Sequence, residues 1–534
     1  MRAALRGRDP TLRPPATTPP ASGRLQLSIV LTGLAFLFPI GYLLSGTLTL
    51  GGDFWGALVS ARTLRPLANS LLIAAATAAA CAVLGTVLAW IAIRTDLPGR
   101  GLWRVVLPLP LVIPSFVGAT AVLSAFGSGG LIEFVPRLEG FWGAFAVLSL
   151  LSYPYVYLPV AARLSSTSAS MEEASRLLGS RPFRTVFRII LPQTRDAITA
   201  GTLLVFLYSL SDFGAVSLMR FDTITRAIFS ARLFDRATAL ILGLILAVLA
   251  LLVAAVVRAL PRGTKTQSAE TKPIQYPLGA ATIPTMGLVV AVLTLALVTP
   301  VAVFMFWTLR GSTTVGVGFS GIGDGLGFLI EPLLNSLLAA TVAAAAAILV
   351  VLPVAYASAK RRSRLSETVS TIVSSVFAIP GLVVALAVVF WAIQAPDPLA
   401  GVYQTFPLLI FAYILHFGAQ SMGASHAAIA AIPSRLDEAA RVLGAYPRRR
   451  FLTIDLPLVL PGLVAGGGLV LLSTLKELPA TLLLAPTGFG TLATRIWGAA
   501  EDGFFAEVGV TSLVLVVLSG VLTWLLILRR GQAV

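Results

Sequence analysis

The chain has 534 residues, of which 57% are hydrophobic and only 12% are charged, and its mean hydropathy is +0.90. Soluble globular domains carry about a quarter charged residues, so this composition excludes that class and indicates an integral membrane protein. The formal net charge is +16. Because basic proteins bind either nucleic acid or membranes, the positions of the basic residues decide between the two.

Twelve apolar runs approach the ~20 residues that a helix needs to cross a bilayer. They lie at roughly 26–46, 68–92, 103–126, 141–163, 196–218, 238–259, 284–308, 334–358, 368–393, 405–428, 458–475 and 508–528. With the N-terminus in the cytoplasm, 29 of the 39 Lys and Arg residues fall on the cytoplasmic side. This is the positive-inside pattern of membrane proteins, so we expect lipid and not nucleic acid as the partner of these charges.

The chain begins with an Arg-, Pro- and Thr-rich stretch at 1–25, which we expect to be a disordered, basic, cytoplasmic tail. It leads into the first apolar run without an evident cleavage site, so we expect an uncleaved anchor. The single cysteine, Cys81, lies in an apolar run and excludes a disulfide framework.

The chain is internally duplicated. Three landmarks recur 265 or 266 residues later: Asn69 as Asn335, Pro114 as Pro380, and Asp212 as Glu477. Six spans per half place both halves in the same orientation, so the repeat is parallel. We therefore expect a first half at 26–260, a polar cytoplasmic linker at 261–283, and a second half at 284–534.

One polar segment occurs twice, at 171–192 and 436–457, with ten identities in twenty-two positions. We call these the first and second repeated segments. Acidic residues favour a helix start, glycine favours a left-handed stop, and proline fits the first turn of the next helix. The pattern predicts a helix–glycine–helix hook that meets a partner through these residues: Glu173, Ala174, Gly179 and Pro182, and Glu438, Ala439, Gly444 and Pro447.

The spacing of the repeated segments resembles the cytoplasmic loop motif of permease subunits in binding-protein-dependent ABC importers. The resemblance covers essentially the whole chain, with one motif before the fifth span of each half, and the first copy departs only by Ser175 for Ala. It implies the type I importer permease fold: an all-α integral membrane protein of about 12 transmembrane helices in two parallel six-helix repeats, both halves in one chain.

The same resemblance implies the partners. Each repeated segment would dock one copy of a cytoplasmic ABC ATPase, giving two copies, and an external solute-binding protein would deliver cargo to the outer loops. The chain would lie in a bacterial inner (plasma) membrane with both termini cytoplasmic. No Gly-Lys dipeptide occurs, so a GxxxxGK[ST] phosphate loop is absent from the sequence. We therefore expect no enzymatic activity and no bound cofactor in this chain, with ATP and Mg on the partner ATPase.

Charged residues inside spans are costly and are candidates for function. Asp212, Glu477 and Lys476 are therefore candidates for the translocation path, and capping of a helix end or pairing across the halves is the structural alternative. The segment 476–497 and residues 212–215 resemble the ferric-iron permease branch of the family, which implies ferric iron as cargo. Carboxylates suit Fe(III), but the sequence identifies no metal ligands. Five further polar residues are more typical of packing: Tyr153, Tyr155, Tyr157, His416 and His426.

Two alternatives stay open. Importers of thiamine, phosphonate, polyamine, sulfate and molybdate share the loop motif, so the same architecture could serve another cargo. An ion-coupled secondary transporter, from a different class, also has twelve spans in two parallel halves. A membrane-embedded enzyme would need a convergent cluster of His, Cys or carboxylate groups, which the dispersed histidines and scarce intramembrane acids do not indicate.

Overall fold

The computed structural model describes residues 23–525, except 52, 128–129, 132–137, 168–171, 174, 176, 179–181, 260–273, 314–326 and 362. The regular structure of this part of the chain is helical, apart from one isolated bridge between Thr95 and Tyr276. The described residues leave out 1–22 of the predicted tail at 1–25 and most of the predicted linker at 261–283. The domain boundaries therefore stay predictions.

The helices of the first half follow the predicted order. Their bounds are Gly23–Leu48, Asp53–Leu58, Ala61–Arg94, Arg100–Val106, Ser115–Phe126, Gly140–Ser152, Pro154–Ser166, Pro182–Thr185, Leu191–Ser211, Gly214–Leu218, Ile224–Ala231 and Arg236–Ala259. The second half repeats the order of the long helices, although some of them are divided differently. Its helices are Thr282–Leu293, Thr299–Thr313, Ile330–Lys360, Arg364–Val376, Gly381–Ile393, Phe406–Ala430, Ser434–Val442, Pro447–Arg450, Leu456–Leu475, Pro479–Leu484, Leu492–Glu501 and Phe505–Thr523.

The described residues contain nine helices that are long and apolar enough to cross a membrane, or up to eleven if each of two bent pairs is one span. Of the twelve predicted spans, the one at 196–218 is not among them. That region forms the helix Leu191–Ser211, which ends before Asp212. Arg195 and Asp196 lie in its first turns and shorten its apolar stretch.

The third span of each half is bent at a proline, as the recurrence of Pro114 and Pro380 allows. The two arms meet at 86° in the first half and 103° in the second. Each proline has extended backbone angles and directly precedes a new helix, which starts at Ser115 or Gly381. Proline lacks an N–H and cannot continue the preceding helix, which explains the break.

The two halves interlock through their first spans. The helix Gly23–Leu48 packs on the bent span of the second half, where Val369 Cγ2 lies 3.0 Å from the position of a Cβ at Gly33. The helix Thr299–Thr313 packs in turn on Ser115–Phe126 of the first half. There the Trp307 Nε1 donates a hydrogen bond to the Ser124 carbonyl at 3.0 Å. Each half therefore completes the packing of the other.

Candidate functional site

The second repeated segment forms the predicted hook. The helix Ser434–Val442 carries the acidic residues of the predicted helix start in its first turns, and Gly444 follows it with a φ of +70°. The next helix begins at Pro447. This left-handed conformation suits glycine because it has no Cβ, so the turn depends on residue 444.

The first repeated segment is described only in part. Its second helix begins at Pro182, as predicted, and Glu173 is exposed. Ala174 and Gly179 lie outside the described residues. The predicted turn is therefore confirmed in the second copy and stays a prediction in the first.

Both repeated segments run into the following long helix without a break, which the sequence did not predict. A π-helical stretch joins the two in each half: Val186–Ile190 before Pro192, and Phe451–Asp455 before Pro457. A π-helix hydrogen-bonds to the fifth residue back, so it adds room where a proline ring would crowd the carbonyl four residues earlier. The Leu456 N–H accordingly donates to the Phe451 carbonyl. The second helix of each repeated segment and the long helix after it are therefore continuous.

The end of each hook exposes apolar side chains. Leu177 and Leu178 are 88% and 86% exposed, and Val442 and Leu443, 265 residues later, are 86% and 84% exposed. We call these two pairs the apolar tips. Glu438 and Ala439 are exposed nearby, as Glu173 is in the first copy. Exposed apolar patches next to polar groups are typical of surfaces that bind another protein.

An ion pair ties each repeated segment to the end of a long helix. In the first half the Arg94 Nη1 lies 2.5 Å from the Glu172 Oε1, and both side chains are fully buried. In the second half the Lys360 Nζ lies 3.1 Å from the Asp437 Oδ2. Sequence reasoning missed these pairs, although Lys360 lies 266 positions after Arg94 and Asp437 lies 265 positions after Glu172. We call them the first and second joints.

Asp212 and Glu477 lie at the other ends of the helices that follow the repeated segments. The helix Leu191–Ser211 has 21 residues and therefore spans about 30 Å. The Asp212 Oδ1 accepts hydrogen bonds from the N–H groups of Ala215 at 2.9 Å and Val216 at 3.3 Å. The Ser115 hydroxyl, at the bend of the third span, also donates to the Asp212 carboxylate.

Glu477 repeats this arrangement in the second half. Its Oε1 accepts a hydrogen bond from the Ala480 N–H at 3.1 Å. A Cβ added to Gly381 would lie 2.8 Å from that oxygen and 3.0 Å from the His416 Nε2. Both carboxylates are buried, cap a short helix and lie against the bend of a third span. This geometry matches the capping alternative, and the role of the two residues in translocation stays a prediction.

Lys476 differs from its acidic neighbour. It is half-buried, and its amine makes no ion pair or hydrogen bond with the described part of the chain. A structural role for the lysine charge is therefore not evident from these residues, and it stays a candidate for the translocation path.

The other polar candidates mostly pack, as expected. The Tyr153 hydroxyl donates to the Leu107 carbonyl at 2.6 Å, and Tyr155 lies against the ring of Tyr208. Tyr157 is buried, and His426 is half-buried. Sequence reasoning placed no acidic residue near His416. In the structure, His416 and Glu477 both lie against Gly381. Within the described residues, no group of three or more His, Cys, Asp or Glu is placed to hold a metal.

The two halves each match the same family model. Residues 82–266 and 350–529 match the binding-protein-dependent transport system inner membrane component. The chain belongs to this family. It is a fused permease, in which one chain carries two copies of the family domain.

Comparison with individual relatives extends this result. The permease is 31% identical to the Fe(3+)-transport system permease protein FbpB 2 of Haemophilus influenzae over 511 residues, which cover 94% of this chain and 97% of the relative. It is 31% identical to the molybdenum transport system permease protein ModB of Mycobacterium bovis over 40% of this chain and 86% of the relative. It is 28% identical to the sulfate transport system permease protein CysT of Escherichia coli, over 36% of this chain and 72% of that relative.

Proposed function

We propose that this multi-pass inner membrane permease is the transmembrane subunit of an ATP-driven importer, and that its two repeated segments dock ATPase subunits. The observation that carries the proposal is the pair of apolar tips, exposed at equivalent positions of both copies. Each tip belongs to a repeated segment whose second helix continues into a long helix. A partner that binds the tips can therefore move the membrane helices as rigid bodies.

The proposal assigns the energy source to another protein. Two copies of a cytoplasmic ABC ATPase would bind, one at each repeated segment, and would hold the ATP and Mg. This chain would bind no cofactor of its own and would hydrolyse nothing. A solute-binding protein would deliver cargo on the opposite side, around 217–237 and 486–507. Both termini would then be cytoplasmic, in agreement with the basic residues on that side.

For the cargo we propose ferric iron. The support is the identity to an Fe(3+) permease over nearly the full length of both chains. The molybdenum and sulfate permeases match 40% and 36% of the chain. Thiamine, phosphonate and polyamine are the further cargoes that the shared architecture allows. Within this proposal, Asp212, Glu477 and Lys476 stay candidates for the translocation path.

Uptake of radiolabelled ferric iron by iron-starved cells that lack the gene tests both parts. We expect the restored wild-type gene to return uptake and a Gly444→Asp variant to lose it. A Cβ added at Gly444 meets no atom within 4 Å, and aspartate is among the residues that tolerate a left-handed turn, so we expect the variant to fold and to place a negative charge on the proposed docking surface. Gly51→Asp is the matched control, because Gly51 also has a positive φ and open space but lies outside both repeated segments.

The outcomes separate the two parts of the proposal. Loss of uptake and of ATPase co-purification in Gly444→Asp only, at normal membrane insertion, supports docking. Uptake by Gly444→Asp at the wild-type rate contradicts it. If the wild type co-purifies with an ATPase but moves no iron, the docking proposal stands and the cargo proposal is wrong.

A further inference from the structure

The end of the inter-half linker lies against the first half as a strap, which we define as residues 274–281. The Tyr276 N–H donates to the Arg94 carbonyl at 2.8 Å, and the Asp96 N–H donates to the Tyr276 carbonyl at 3.4 Å. The Leu278 N–H donates to the Asp96 Oδ1 at 2.8 Å. The strap is therefore attached by its backbone to the end of the helix Ala61–Arg94.

The side chain of Tyr276 extends from the strap into the first joint. Its hydroxyl donates to the Glu172 Oε2 at 3.1 Å, while the other oxygen of Glu172 is paired with Arg94. Its ring lies 5.3 Å from that of Trp90, between centroids. Three parts of the chain thus meet at one buried carboxylate: the strap, the helix end and the first repeated segment.

The second joint obtains its extra partner from a different place. The Arg450 Nε lies 3.7 Å from the Asp437 Oδ1 and 3.5 Å from the Asp455 Oδ2. The Arg450 Nη2 also donates to the Tyr356 hydroxyl at 2.7 Å. Arg450 belongs to the second repeated segment itself, so this joint needs no linker.

The first half has a different residue where the second has Arg450. The equivalent position is Thr185, whose hydroxyl lies 3.1 Å from the Ser175 hydroxyl. A threonine carries no charge to pair with Glu172. A buried ion pair needs further hydrogen bonds to the remaining oxygen atoms to be stable, and here Tyr276 provides one.

We propose that the strap is a working part of the first joint, in which Tyr276 is a positioning residue that holds Glu172 against Arg94. The first repeated segment then moves together with the helix Ala61–Arg94, whereas the second joint is independent of the linker. The role of the joint in transmission rests on the proposed importer function. The asymmetry between the two joints does not depend on that function, because it is seen directly in the contacts of the two joints.

Hydrogen exchange of the purified full-length chain in lipid nanodiscs tests the joint without its partners. Tyr276→Phe removes only a hydroxyl and keeps the ring against Trp90. We expect amide exchange to rise about tenfold in the first repeated segment and the strap, since a hydrogen bond to a charged group is lost. Exchange in the second repeated segment should not change. Tyr356→Phe is the matched variant, and it should loosen the second repeated segment alone.

Two results overturn the inference. One is unchanged exchange in the first repeated segment of Tyr276→Phe. The other is an equal rise in both segments, which indicates general loosening. Arg94→Lys provides a further check, because Lys360 fills this role in the second joint. It should keep wild-type exchange in the first repeated segment, and a tenfold rise there would contradict an ion-pair role.

Transmission is then measured in proteoliposomes that contain the permease, its ATPase and ferric-loaded binding protein. We expect Tyr276→Phe to retain the bound ATPase but to move severalfold less iron for each ATP hydrolysed, a ratio that a purely structural role would leave unchanged. An unchanged ratio overturns the transmission role. A wild type that shows no ATP-driven uptake contradicts the proposed cargo or function instead, and the exchange data still decide whether the strap completes the joint.

Discussion

Asp212 shows how the structure separates a capping role from a transport role. Its carboxylate accepts two backbone hydrogen bonds and one from Ser115, all from buried residues. Asp212→Ala removes a helix cap worth ~1 kcal/mol and leaves the Ser115 hydroxyl without this acceptor, which costs about 1–3 kcal/mol more. We expect a total loss of roughly 2–4 kcal/mol in the free energy of unfolding. Asp212→Asn keeps an acceptor oxygen, and asparagine caps helices about as well as aspartate, so the stability of this variant should stay close to that of the wild type.

The assay is unfolding in mixed detergent micelles, with iron uptake measured on the same variants. Asp222→Ala is the control for the unfolding measurement only, because Asp222 is an exposed acid whose ion pair to Arg226, at 3.8 Å, is also exposed and contributes about 0–1 kcal/mol. We expect Asp212→Asn to keep both stability and most uptake. If the asparagine variant is as stable as the wild type but moves no iron, capping does not explain the residue, and its charge is needed on the translocation path.

Lys476→Met should leave stability unchanged or higher but reduce uptake, because the described residues give the amine no partner; wild-type uptake would remove Lys476 from the path. Gly381→Ala should destabilise the protein by about 1–3 kcal/mol, because its methyl group would displace the buried Glu477 carboxylate. Gly423→Ala is the control in the same unfolding assay. Gly423 lies in a helix with open space around it, so this variant should be stabilised by about 0.5–1 kcal/mol. An equal change in the free energy of unfolding of Gly381→Ala and Gly423→Ala would refute the packing argument. Thr491→Ala should lower the melting temperature by loss of a capping box worth ~1 kcal/mol, and an unchanged value would contradict that role.

The features that sequence reasoning predicted depend on local chemistry. The left-handed turn at Gly444 and the helix start at Pro447 follow from the backbone preferences of these two residue types. For Pro114 and Pro380 the sequence indicated only the recurrence; the bends at these prolines, which the missing N–H explains, are a finding of the structure. Duplication strengthened each of these predictions, because two copies of a pattern report on the same geometry.

The features that it missed depend on contacts between distant residues. Arg94 and Glu172 are separated by 78 positions, and nothing local to either one indicates the other. The strap needs a third distant segment around Tyr276. The predicted span at 196–218 rests on a run of apolar residues, and such a run does not indicate that Asp212 ends the helix by capping the next one.

The packing of each half's first span against the other half affects how the protein folds during synthesis. The helix Gly23–Leu48 is synthesised more than 300 residues before the helix Gly381–Ile393 on which it packs. At ~5–20 residues per second, the ribosome needs roughly 20–70 s to cover that distance. During this time the leading helix has only lipid or insertion factors against the face that the second half will cover. Truncated translation products should therefore be targets for membrane proteases, and the fold becomes complete only near the end of translation.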